Sequence, residues 1–169
     1  EVLGNSVITG AYAGWAINAL DPLSYYPAAL AEKIAGESLN EDEPGDIEVR
    51  INSLVNWYLG TDGKPGYSKY DLVTVVLHEL CHGIGFFGSM DVEGTNGYYG
   101  IGGFPLIYDT FIENGSHKKL TDTLIYKNYS SNLYYQMVSG ELYFEGPVHN
   151  KLTNNVPTKL YSPPAFDNG

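Results

Sequence analysis

Cysteine is almost absent from this sequence: Cys81 stands alone among 169 residues. No internal disulfide can form, so cysteine usage leaves the redox compartment open, and stability must come from a packed core. Basic residues are scarce as well. Nine Lys and Arg face 20 Asp and Glu, for a formal net charge of -11. Phosphate neutralisation needs clustered Lys and Arg, so this balance argues against nucleic-acid binding and disfavours anionic membrane surfaces. Long apolar runs are missing too; none approaches the roughly 20 residues of a membrane-crossing helix. No signal segment, internal repeat or low-complexity tract is visible. The chain opens at Glu1 rather than Met and so reads as a processed or excised piece. What is present is a 43% hydrophobic content, which marks a globular chain, with 15 Tyr and 20 Gly. An acidic, Lys-poor, Tyr- and Gly-rich surface suits a secreted protein of bacterial type.

The pattern along the chain predicts mixed elements. Residues 27–34 are Ala/Leu-rich, with Leu30 and Ile34 one helical turn apart, and Gly36 stops the helix. Ile47, Val49 and Ile51 alternate with Glu48, Arg50 and Asn52, so 46–52 reads as a half-buried strand. Residues 61–66 form a turn cluster. A central helix is predicted over 70–83, with Asp71 or Ser68 as N-cap. Six glycines within 88–103 demand loop or irregular sheet. The stretch 104–112 is expected to be helical after Pro105. Short strand-like runs such as 141–144 follow, and 157–169 reads as loop. No linker divides the chain.

The chemistry sits on the central helix, in His78-Glu79-Leu80-Cys81-His82. A spacing of four puts both imidazoles on one helical face. Zinc accepts neutral imidazole nitrogens at about 2.0–2.1 Å, lowers the pKa of a bound water and polarises a carbonyl. Glu79 would take the proton of that water and pass it to the departing amine. The residues around the motif are uncharged, which suits a helix buried beneath a cleft. The alternative is a buried helix with two core histidines, which leaves a polar cluster in need of partners.

The glycines that follow, in Gly83-Ile84-Gly85-Phe86, resemble the H-E-x-x-H-x-x-G signature of the metzincin clan of zinc peptidases. That signature places a third histidine three positions after its glycine, where this chain has Gly88. More of the chain is similar to secreted bacterial zinc peptidases with an H-E-L-x-H-G-x-G-F core. The similar stretches are 26–30, 56–63, 70–77, 108–109 and 160–163. The resemblance implies an α+β, zincin-like fold: a small twisted mixed sheet with a central zinc helix. It implies a single peptidase domain over 1–169, open to truncation at its C-terminal end. Also implied are a Zn2+ cofactor, a peptide or protein substrate, and β-addition of substrate along the strand 46–52.

The third zinc ligand is left open. His117 lies in a polar turn, and His149 follows Gly146-Pro147-Val148. Asp109 and Glu113 fall on the expected second helix, where a carboxylate ligand would resemble gluzincins, although their Asn-Glu motif is absent. A residue beyond Gly169 is the remaining candidate. Cys81 is read as a buried structural thiol. Five acidic residues within 37–46 are a candidate structural Ca2+ site or a solvated loop. Met90 and Met137 are candidate floor residues under the metal. Tyr98-Tyr99 and Tyr134-Tyr135 are cleft or half-buried strand residues. The expected activity is zinc-dependent endopeptidase hydrolysis. The alternatives are a zinc hydrolase of non-protein amides and a vestigial zincin-like module binding glycan or peptide.

Overall fold

The structure is a computed structural model that describes residues 3–40 and 45–164. It is a mixed α+β arrangement of small sheets and short helices. The chain divides into two compact units, Glu1–Phe87 and Gly88–Gly169.

In the first unit, β1 (Gly4–Ile8) is followed by β2 (Ala11–Ala13), β3 (Tyr25–Pro27) and α1 (Ala28–Ala35). Then come β4 (Ile47–Ile51), β5 (Trp57–Tyr58), β6 (Tyr70–Asp71) and α2 (Leu72–Gly83). α1 ends as expected: Gly36 takes φ 77° and its N–H bonds to Glu32 O. The face it buries is Ala28 and Ala31, however, and Ile34 stays exposed. β4 matches the alternation of its sequence and pairs antiparallel with β1, Ser6 opposite Val49. β1 carries polar Asn5 and Ser6 and is not foreshadowed by an apolar run.

α2 begins where β5 and β6 pair in parallel, Tyr58 opposite Asp71. Asp71 caps it, accepting a 3.2 Å bond from Thr74 N. Ser68, the other predicted cap, lies outside the helix with φ 70°. α2 rests on β1 and β4, and at Gly83 its backbone comes close to β4. A Cβ at Gly83 would stand 2.3 Å from Ile47 Cγ2. Beyond the helix Gly85 takes φ 105°, and Phe86 N bonds to Cys81 O at 2.9 Å. A Cβ there would meet Pro27 and Leu30, so the helix exit lies against the start of α1.

Only one face of α2 is covered. Val73, Leu77, Leu80 and Ile84 form an exposed apolar stripe, and Cys81 is exposed too. This corrects the expectation of a buried thiol and leaves the helix only partly buried. The two-stranded β1–β4 sheet is too narrow to enclose a helix.

The second unit contains β7 (Asp91–Glu93), β8 (Asn96–Tyr98), a 3-10 turn (Ile107–Phe111) and β9 (Ile112–Asn114). α3 (Ser131–Met137), β10 (Leu142–Phe144), α4 (Pro147–Leu152) and β11 (Thr158–Lys159) complete it. β10 lies between β9 and β11 in an antiparallel sheet. Val92, Tyr99, Ile112, Leu120, Tyr126, Leu133, Met137 and Leu142 form the core. A Cβ at Gly97 would stand 2.6 Å from Met137 Sδ and 2.7 Å from Tyr134 N, which shows how closely β8 approaches α3.

The expected helix over 104–112 is therefore corrected to a 3-10 turn running into a strand. The Asp109 side chain accepts from Leu106 N at 2.9 Å and closes the turn, and Ile112 then pairs with Phe144. α3 and α4 fall in the Asn/Ser/Tyr-rich region that reads as short strand-like runs, so two helices there are a correction. Ser130 caps α3 by accepting from Leu133 N at 3.2 Å, and Pro147 opens α4.

Candidate functional site

The motif residues lie on the second half of α2. His78 Nε2 and His82 Nε2 are 2.9 Å apart, with ring planes at 84°. His82 is fixed from behind: its Nδ1 lies 3.0 Å from the carbonyl oxygen of Phe86. A proton on Nδ1 bonded to that carbonyl leaves Nε2 with a lone pair directed at His78. The backbone that supplies the carbonyl is the tight exit built by Gly85. The bend that ends the helix therefore also sets the tautomer of its last histidine.

Glu79, by contrast, is turned inward and is 8% exposed. It lines a cavity of about 430 Å³ together with Gly4, Asn5, Ser6, Ile8, His82 and Phe87. Among the described residues no hydrogen bond or ion pair engages its carboxylate, so it is available to a water molecule in that cavity. The wall beside Glu79 and His82 comes from β1. β4 contributes no residue to it. Sequence reasoning placed the neighbouring strand at 46–52 and did not find Asn5, Ser6 or the Phe86 carbonyl. The residue types of β1 carry no strand signal. The four-residue step from His82 to Phe86, across two glycines, was the only pointer to the second.

Two converging imidazoles are a donor pair that zinc accepts. No further His, Cys, Asp or Glu donor joins the pair among the described residues of the Glu1–Phe87 unit.

The candidates for that role have other partners in the second unit. Asp109 is fully buried and accepts from Ser89 N at 2.9 Å, Leu106 N at 2.9 Å and the Ser89 hydroxyl. Burial raises its carboxyl above the ordinary range, and the bonds from Ser89 and Leu106 pull the other way. His149 lies on α4 with Nε2 2.8 Å from Thr158 Oγ1 and Nδ1 3.1 Å from Asn150 Oδ1. Glu113 and His117 come together with Glu145 around the β9 turn. Met137 packs in the core, with Met90 against it. Tyr99 is buried, Tyr98 bonds to Asp91, and Tyr134 and Tyr135 meet edge to face. Of the acidic stretch, Glu41, Asp42 and Glu43 lie outside the described residues, so the calcium expectation falls there.

"Uncharacterized protein PB7E8.01" of Schizosaccharomyces pombe is 34% identical over 70 residues, 41% of this chain. Those residues make up 12% of the relative's length, so the chain spans only a small part of it. No solved structure matches. A family profile described as SPBPB7E8-like matches residues 17–161, a span that runs from the turn before β3 past β11 and contains all of α2. The chain belongs to the SPBPB7E8-like family.

Proposed function

We propose that this chain is a zincin-like, metzincin-related peptidase domain that hydrolyses peptide bonds, with Zn2+ held by His78 and His82. The observation that carries the reading is the convergence of the two Nε2 atoms at 2.9 Å, with the buried Glu79 on the adjoining cavity. Zinc ligands separated by tetrahedral or octahedral angles lie roughly 2.9–3.4 Å apart, given bonds of about 2.0–2.1 Å. The observed separation falls at the lower end of that span.

The ion, when bound, supplies an acidified water and polarises the carbonyl under attack. The chain's own residues do the rest. The Phe86 carbonyl holds the His82 ring, so its Nε2 is offered as a lone pair. Glu79 accepts the proton of the attacking water and returns it to the leaving amine. β1 pairs with β4 along one edge, and among the described residues no strand pairs with its other edge, so it is the strand suited to align an extended peptide along the cavity. A secreted location accords with the acidic, Lys-poor, Tyr- and Gly-rich composition.

The experiment is zinc content and hydrolysis of end-blocked peptides, for the wild type and Glu79→Gln. Internal cleavage that disappears in the variant, with zinc retained, supports the reading. Cleavage that survives in the variant removes it. A second reading rests on the imidazole pair, which no third donor joins among the described residues of its unit: a vestigial zincin-like module that binds glycan or peptide. Purified chain that takes up no zinc at the His78–His82 pair would favour it.

A further inference from the structure

In the second unit, β9 and β10 pair so that Tyr143 stands opposite Glu113. Two residues beyond Tyr143, Glu145 leaves the sheet, its N–H bonded to Phe111 O at 2.9 Å. Between Glu113 and Lys119, which form a bridge, the chain makes a tight turn. Asn114 anchors it. Its Oδ1 accepts from Ser116 N at 3.0 Å and Lys118 N at 3.1 Å, and its amide donates to Tyr126 and Gln136 at 2.7 Å each. The turn delivers His117 between the two carboxylates. His117 Nδ1 lies 3.0 Å from Glu145 Oε1 and 3.7 Å from Glu113 Oε2.

Two partly buried carboxylates share one imidazole here. The Glu113 and Glu145 side chains are only 15% and 18% exposed, and they face each other across one imidazole. Among the described residues their ion pairs are with His117 alone. Lys118 and Lys119 line the adjoining cavity, yet no ammonium group reaches either carboxylate. A protonated imidazole offsets one of two negative charges at best. A divalent ion offsets both and leaves the imidazole neutral.

The distances fit as well. One donor atom from each of the three residues lies within 4.8 Å of the others. Bonds of about 2.0–2.2 Å place adjacent ligands roughly 2.9–3.6 Å apart, so an ion is accommodated by side-chain shifts of at most about 1–2 Å. A cavity of about 450 Å³, lined by Glu113, His117 and the 118–125 segment, gives it a way in. Two carboxylate oxygens with one imidazole nitrogen suit Zn2+, Mn2+ or Co2+ and disfavour Ca2+, which takes oxygen donors.

The geometry points to a second divalent-metal site, made by Glu113, His117 and Glu145, that ties the β9 turn to the exit of β10. It uses neither His78 nor His82 and does not depend on the peptidase reading. The test uses chelator-stripped full chain titrated with Zn2+ and Mn2+. Bound metal is counted by elemental analysis, and thermal unfolding is followed in parallel.

The His78→Ala/His82→Ala variant is expected to retain one ion, with Tm raised by about 5 °C at a hundredfold excess over Kd. Adding His117→Gly or Glu145→Gln should abolish both the ion and the shift. Glycine is chosen at 117 because the backbone there has φ 55°. Glu145→Gln carries the test alone should the glycine variant not fold. An imidazolium merely paired with two carboxylates predicts no bound ion in the double-alanine variant, and that result overturns the site. So does an ion that persists after Glu145→Gln. Loss of the peptidase reading looks different: one ion per wild-type chain, unchanged by His78→Ala/His82→Ala.

Discussion

The imidazole of His82 is held by the carbonyl of Phe86, 3.0 Å from its Nδ1, four residues further along the chain. The helix that presents the histidine and the turn that orients it are thus one continuous piece of backbone. Orientation of the ring depends on how α2 ends, more than on any distant element.

That dependence makes Gly83 a sensitive position. A methyl group there would meet Ile47 Cγ2 at 2.3 Å. Gly83→Ala should destabilise the chain by about 1–3 kcal/mol through overpacking and weaken zinc uptake through His82. In an Ile47→Ala background the same change should cost measurably less. Denaturant unfolding of the four combinations checks this; equal costs in both backgrounds would deny the contact.

Glu79→Gln preserves the shape of the side chain and removes its basicity. Under the proposed peptidase reading, hydrolysis should fall by roughly 10²–10⁴-fold, the range for a lost general base, while the zinc content is unchanged. Steady-state kinetics beside elemental analysis gives both numbers from one preparation.

Asp109 provides a pH signature for the second unit. Burial raises its carboxyl above the ordinary value of 3.8, so the folded chain holds that proton more tightly than the unfolded chain does. Its contribution to stability is complete below the unfolded pKa and lost as pH rises through the folded one. The stability of the wild type relative to Asp109→Asn should therefore decline from about pH 4 upward. Unfolding midpoints across that window measure it, and a rising difference would contradict the burial argument.

Ser130→Ala removes the cap of α3 and should cost about 1 kcal/mol. The loss reaches the core, because α3 carries Leu133 and Met137, 0% and 2% exposed. A Ser130→Thr variant should retain most of the stability; unfolding curves that do not separate Ala from Thr would speak against the cap.

What could be read in advance follows from range. α1, β4 and α2 announce themselves by local period, caps and glycine stops, and the His78, Glu79, His82 cluster by a spacing of four. Elements fixed by distant partners did not. Ile112 belongs to a strand because Phe144 pairs with it across the unit, and the apparent helix over 104–112 gives way. Asn5 and Ser6 look like loop residues until β4 supplies their partners. Glu145 resembles any surface glutamate, since only the β9–β10 register brings it to His117.

His117 has one more consequence. Its φ of 55° is a conformation in which glycine or asparagine rests more easily than a larger side chain. Engineers selecting this domain for heat resistance in metal-free buffer should recover Gly or Asn at 117 early. Selection in zinc-supplemented medium should keep the histidine, and sequencing the two pools would reveal whether durability and metal loading compete at that position.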